Sequence, residues 1–250
     1  MDAPSVVIIS PADEAVRRLW DLVLSLAEKF GAERDLSLVG GLMVQLHGFE
    51  NDDDPRPTAD IDVLGAARRS PKMTETMAAL LVELGAEIAD PPRLNPNLGY
   101  RFELEGETVE LLGPDGLRAD PTTIGGLKTL QVAGGTRALR RTEVVLVSLA
   151  GAEAVAVRRP NLLGAILLKA RVLAKRRDGK FLSDRQDLVR LLGYVEDPRG
   201  LAADLSRSEQ GWLRSVAEEI AFEDGSLTEL FPEETLLRAR QAFRLLTQAS

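Results

Sequence analysis

The 250-residue chain contains no cysteine. Disulfides, thiolate zinc sites, cysteine-held iron–sulfur clusters and a cysteine nucleophile are thereby excluded within it. Its single histidine, His47, permits at most one histidine-based triad and no multi-histidine metal site within one chain. Any metal is therefore expected on oxygen ligands, which favours Mg²⁺, Mn²⁺ or Ca²⁺. Aromatics make up only 4%, so the core is expected to be aliphatic. No run of about 18 apolar residues occurs, so no transmembrane helix is expected. The start, Met1-Asp2-Ala3-Pro4, lacks the basic segment of a signal peptide, and the expected compartment is the cytoplasm.

What is present fits a globular protein. Apolar residues are 44% and charged residues 28%, enough for a sizeable core. The length allows one large domain or two modest ones. The net charge is −8, but it is uneven. Between Arg158 and Arg190 lie ten basic residues, including Lys175, Arg176, Arg177 and Lys180, against only Asp178, Asp184 and Asp187. A basic stretch in an acidic chain predicts a local anion site, with RNA backbone as one ligand.

Periodicity divides the chain in two. Ser10-Pro11 reads as a helix start before apolar residues at helical spacing up to Phe30. Leu36–Val39 and Ile61–Leu64 read as strands, with a helix from Leu42 to Gly48 between them. Ser70-Pro71 opens a helix ending before Gly85. Tyr100–Leu104 and Thr108–Leu112 form a hairpin about Glu105-Gly106-Glu107. Gly125-Gly126 and Gly134-Gly135 punctuate a loop-rich stretch. Glu143–Leu149 and Ala154–Val157 are further strands. Helices alone follow, at 161–176, 184–193, 208–221 and 233–248. The expected organisation is an α/β domain over residues 1–157 and a helical domain over 158–250.

Chemistry concentrates at Arg56-Pro57-Thr58-Ala59-Asp60-Ile61-Asp62. On a strand, Asp60 and Asp62 point to the same face. Two such carboxylates repel each other unless a cation lies between them. Glu110, flanked by Val109 and Leu111, is an acid on a predicted neighbouring strand and needs a partner if it points inward. It can ligate metal or accept a proton. Gly40-Gly41, between a strand and a helix start, lets backbone N–H groups approach a phosphate. Arg56 and Thr58 orient either a triphosphate or the strand start. Lys169 sits in the apolar run Leu162–Ala170, so it must snorkel or meet an anion, whether a triphosphate or a nearby acid. Asp184 and Asp187 share a helical face and can orient Lys169 or Arg171.

The order Val39-Gly40-Gly41, spacer, Asp60-Ile61-Asp62 resembles the nucleotidyltransferase (polymerase-beta-like) superfamily. The Arg56-x-Thr58-x-Asp60-Ile61-Asp62 form, Lys169 and the Asp184-x-x-Asp187 helix are similar to its AbiEii/AbiGii-type branch, the toxins of toxin–antitoxin systems. The resemblance implies an α/β (α+β) nucleotidyltransferase core with a mixed sheet, followed by a C-terminal all-helical part. It implies Mg²⁺ or Mn²⁺ on Asp60, Asp62 and Glu110. It implies a nucleoside triphosphate such as ATP bound by Gly40, Gly41, Arg56, Thr58, Lys169, Arg171 and Asp184. Asp60, Asp62, Glu110, Lys169 and Asp187 then form the catalytic set. An NMP would pass to an acceptor hydroxyl of RNA, such as a tRNA 3′ end, and an antitoxin protein would be the partner. Gly41 stands where the family commonly has serine. Two other readings share these residues: transfer to a small aminoglycoside-like acceptor, and a degenerate nucleotide-binding regulator.

Overall fold

Asp13, not Ser10, starts the first helix. Its carboxylate accepts from the amides of Ala15 (2.7 Å) and Val16 (3.4 Å), so the side chain best placed to cap displaces the earlier Ser-Pro signal. The computed structural model describes residues 6–31, 36–53, 55–93, 95–175 and 180–248. Asp54, Arg176, Arg177 and Asp178 lie outside the described residues. The chain divides into two compact units, Met1–Asn161 and Leu162–Ser250.

The first unit runs β1 (Val6–Ile9), α1 (Glu14–Phe30), β2 (Leu36–Leu38), α2 (Gly40–Phe49), β3 (Asp60–Gly65), α3 (Met73–Glu83), β4 (Glu87–Ile88), β5 (Arg101–Leu104), β6 (Glu107–Pro114), β7 (Leu130–Val132), α4 (Gly135–Arg140), β8 (Thr142–Leu149) and β9 (Val155–Pro160). The mixed sheet expected from the sequence is two mixed sheets. One has the order β2-β3-β6-β5-β4, with β7 pairing the far half of β6. Here β3 and β6 run parallel, while β2 and β5 are antiparallel to their neighbours. The other has the order β1-β8-β9, with β1 parallel to β8.

The core is aliphatic, as the scarcity of aromatics implies. Leu19, Leu42, Leu46, Ile61, Leu81 and Val147 are buried, joined by Trp20 and Phe102. Each such side chain contributes roughly 1.5–3 kcal/mol. One polar chain runs through this core towards the Asp60 strand. Trp20 Nε1 donates to Gln45 Oε1 (2.9 Å), and Gln45 Nε2 donates to the Arg56 carbonyl (3.0 Å). The packed α1 and α2 thereby fix the backbone that leads into β3.

The second unit contains, among its described residues, helices only: α5 (Leu162–Leu173), α6 (Phe181–Gly193), α7 (Pro198–Ala203), α8 (Arg207–Arg214), α9 (Ala217–Ile220), α10 (Gly225–Thr228) and α11 (Glu233–Gln248). The helix expected at 208–221 is broken in two at Ser215-Val216, and α8 opens with a full capping box between Ser206 and Glu209. Leu167, Leu188, Leu191, Leu213, Ile220 and Leu246 fill its interior. No helix of the described residues is long and apolar enough to cross a membrane.

Candidate functional site

Period two along β3 buries Ile61 and turns Asp60 and Asp62 to the opposite face. The parallel register places Glu110 of β6 directly beside Asp62. Asp60, Asp62 and Glu110 each offer a carboxylate oxygen, and the three oxygens lie within 4.8 Å of one another. Glu110 is buried, the two aspartates half-buried. At that separation each pair of like charges repels by roughly 3–4 kcal/mol at an effective dielectric near 20. Three hard anionic donors at this spacing fit a divalent cation of the Mg²⁺ or Mn²⁺ type.

Neighbouring groups hold the carboxylates in place. Thr58 Oγ1 donates to Asp60 Oδ1 (2.9 Å). The Val39 amide donates to the Asp62 carbonyl (2.9 Å), tying the start of α2 to β3. Arg101 on β5 donates to Glu110 Oε1 from Nε (3.1 Å) and from Nη2 (2.5 Å). These bonds, together with the charges of Glu110 and Asp60, raise the Arg101 pKa above its ordinary value. Arg101 was not among the residues singled out from the sequence. Its signal was nonetheless there: counting outward from the Glu105-Gly106 turn pairs Arg101 with Glu110.

The two glycines answer to close approach. Gly40 has a left-handed φ of 67°, and a Cβ there would lie 1.8 Å from Asp62 Oδ2. A Cβ on Gly41 would lie 2.6 Å from Thr58 Oγ1. The room that a side chain would need at either glycine is thus taken by side chains of the Asp60 segment. A hydroxyl is present next to residue 41, carried by Thr58. Replacing Gly40 by alanine is expected to cost more than 2 kcal/mol, combining about 1–2 kcal/mol of left-handed strain with displacement of Asp62. Gly125→Ala, with a φ of 65°, a ψ of 15° and nothing within 4 Å of its Cβ, carries only the strain. Urea unfolding of both variants separates the two contributions.

Arg56 is half-buried, and its Nη1 donates to the Pro57 carbonyl (3.2 Å). The remaining residues singled out from the sequence belong to the helical unit. Lys169 Nζ, 5% exposed, donates to Asp184 Oδ1 (3.0 Å) and Asp187 Oδ2 (2.7 Å). Burial works against its charge, but the Asp187 and Asp184 carboxylates outweigh burial and hold its pKa above the ordinary lysine value. Arg171 lies over the Trp212 ring, 4.9 Å from its centre.

The basic stretch 158–190 is not one charged face. It is shared between the two units, and several of its members are buried in pairs. Arg159 is 2% exposed, meets Glu50 and the His47 ring, and reaches Glu143 (3.3 Å). Arg185 pairs with Asp224 (3.0 Å), and Arg190 covers Phe231. Arg159, Arg185 and Arg190 are thus engaged within the protein, whereas Lys175 and Lys180 are exposed and Arg176 and Arg177 lie outside the described residues. His47 is buried against the Pro160 carbonyl (3.1 Å), and burial together with Arg159 holds its pKa well below the ordinary value. It stays neutral and structural at physiological pH.

No protein-family model matches the chain, and no curated protein matches it. Solved structures do. The chain is similar to an antigenic nucleotidyltransferase-like protein from Paracoccidioides brasiliensis, with 15% identity and a TM-score of 0.48 over 88% of this chain and 92% of that one. It is similar to the antibiotic-resistance factor ANT(2″)-Ia in solution, with 14% identity and a TM-score of 0.40 over 86% of this chain and 94% of that one. The crystal structure of ANT(2″)-Ia in complex with adenylyl-2″-tobramycin aligns at 16% identity and a TM-score of 0.36, over 91% of this chain and 96% of that one.

Proposed function

We propose that the chain is a divalent-metal-dependent nucleotidyltransferase. The observation that carries this reading is the convergence of Asp60, Asp62 and Glu110 within 4.8 Å, beside the Gly40 start of α2. Asp60, Asp62 and Glu110 would hold Mg²⁺ or Mn²⁺. The metal, when bound, supplies positive charge against a triphosphate and its leaving pyrophosphate.

The chain's own residues do the positioning. Arg101 engages Glu110 Oε1 through two N–H groups and so holds that carboxylate beside Asp62. Thr58 orients Asp60, and Gly40 lets Asp62 lie across the helix start. The α2 N-terminus favours an anion there. In the transfer, an acceptor hydroxyl oxygen bonds to the α-phosphorus, the bond to the bridging oxygen breaks, and pyrophosphate leaves with that electron pair. Glu110 takes the hydroxyl proton. Lys169, already bonded to two carboxylates, has little charge left to offer a phosphate. We read it with Asp184 and Asp187 as a brace between α5 and α6.

For the acceptor, the resemblance to toxin nucleotidyltransferases favours RNA, with the tRNA 3′ end foremost and an antitoxin protein as partner. Incubating the protein with each α-labelled NTP, Mg²⁺ and total tRNA, with and without an aminoglycoside, tests this. Label on RNA is the expected result. Label on the aminoglycoside alone moves the acceptor to a small molecule, and absence of any transfer removes the enzyme reading.

A further inference from the structure

The two tryptophans of the chain sit in opposite surroundings. Trp20 is fully buried and its indole N–H is bonded to Gln45. Trp212, on α8, is half-buried, and its indole N–H makes no hydrogen bond and is not sealed from solvent. A tryptophan held partly at the surface, with its polar edge wet, is typical of residues that contact ligands. The helix that presents it is fixed by the Ser206–Glu209 capping box and by buried Gln210 and Leu213.

Arg171 of α5 lies over this ring, 4.9 Å from its centre. The side chain is half-buried. Its Nε is sealed and has no hydrogen-bond partner, while its two Nη groups, also without a bond, remain open. No carboxylate among the described residues pairs with it. Lys169, two positions earlier, behaves otherwise, because Asp184 and Asp187 share its charge. Two residues turn a helix by about 200°, so Lys169 faces α6 and Arg171 faces α8.

Lys175 follows one turn further along the Arg171 side. The helical backbone carries on to it: the Ala174 amide donates to the Ala170 carbonyl (3.0 Å), and the Lys175 amide to the Val172 carbonyl (3.0 Å). Lys175 is exposed and, like Arg171, pairs with no carboxylate among the described residues. In a chain of net charge −8, two uncompensated cations thus lie beside a half-open indole.

We propose that Arg171, Trp212 and Lys175 form a docking point for single-stranded nucleic acid. A nucleobase stacks on the open part of the Arg171–Trp212 pair, since every base has a π face and both aromatic rings and guanidinium planes receive one. The open Nη groups of Arg171 and the Lys175 ammonium take phosphate oxygens. A simple polyanion would use the charges and leave the ring idle, and a duplex keeps its bases stacked on each other. The inference goes beyond the transferase reading: it concerns binding by the helical unit and holds whether or not the carboxylate site transfers a nucleotide.

Fluorescence anisotropy of a short labelled oligouridylate with the full chain in EDTA tests it, alongside Trp212 emission in a Trp20→Phe background. Saturable binding is expected, with Trp212 emission quenched over the same concentration range. Lys175→Gln and Arg171→Gln are each expected to weaken binding about tenfold, the loss of one charge-assisted contact. Lys175 is exposed, so its variant keeps the fold. Arg171→Lys recovers only part of the loss, because it restores the charge without the plane. Trp212→Phe keeps a ring and is expected to bind within about threefold of wild type, whereas Trp212→Ala binds about tenfold or more weakly. Asp62→Asn is expected to bind as the wild type does, which keeps failure here distinct from failure of the transferase reading. Oligothymidylate binding equally identifies the ligand as either single strand, and weaker binding identifies RNA. The proposal is overturned by any of four results: no saturable binding, binding that neither cation variant weakens, binding without a change in Trp212 emission, or competition by tripolyphosphate or a duplex as strong as that by the single strand.

Discussion

Asp62→Asn is expected to lower nucleotidyl transfer by about 10³-fold or more, the scale of removing a charge that helps hold a catalytic metal. The asparagine has the aspartate's shape, so it still lies over Gly40, whose absent Cβ makes room for it. Thr58 keeps its bond to Asp60, and Arg101 keeps its bonds to Glu110. Only a charge and one ligand are lost. In metal-free buffer the variant is expected to be as stable as the wild type or more so, because one of three mutually repelling carboxylates is gone. The pairing of lost activity with retained stability separates a metal ligand from a structural acid. Transfer within tenfold of wild type would show that Asp62 holds no catalytic metal.

Lys169→Met is expected to cost about 3–5 kcal/mol, because it removes the buried cation that Asp184 and Asp187 share. The two tryptophans divide conveniently: Trp20 belongs to the α/β unit and Trp212 to the helical unit. The loss should therefore appear in the Trp212 fluorescence transition of a Trp20→Phe background during urea unfolding. Changing all three residues together, Lys169→Met with Asp184→Leu and Asp187→Leu, is expected to recover most of the stability, since a whole buried ion cluster can be exchanged for apolar packing at little cost. Because the Lys169 pKa is raised, its contribution is complete below the unfolded lysine value of about 10.4. It is lost only as the pH rises through the higher folded value. The helical unit should accordingly show no loss of this contribution between pH 6 and 9. If the triple variant is stable and still transfers, the cluster is a brace; stability without transfer would return Lys169 or its partners to the catalytic set.

The positions of the two aspartates were legible in the sequence because they depend on a local rule. Period two put Asp60 and Asp62 on one face, whereas the apolar neighbours of Glu110 left its direction open, and the β3–β6 register places it beside Asp62. Residues whose placement depends on distant partners were harder to read. Val6–Ile9 becomes a strand by pairing with residues 146–149, far along the chain. Gly134-Gly135, read as loop punctuation, instead starts α4; Gly135 is there because a Cβ would meet the Pro114 Cα at 3.1 Å. The strand read as ending at Val157 continues to Pro160, since Glu50 and Glu143 receive the buried Arg159. A run of basic letters carries no information about which side chains reach water, so the 158–190 stretch looked like one surface.

The metal site itself is the most direct test. Mn²⁺ titration of the full chain, followed by electron paramagnetic resonance, reports bound metal without requiring turnover. The wild type is expected to quench the free-ion signal with saturation, and Glu110→Gln is expected to weaken that binding. Asp60→Asn combined with Asp62→Asn is expected to abolish it. Saturable Mn²⁺ binding that persists unchanged in the double variant would contradict the assignment of these carboxylates as the metal centre.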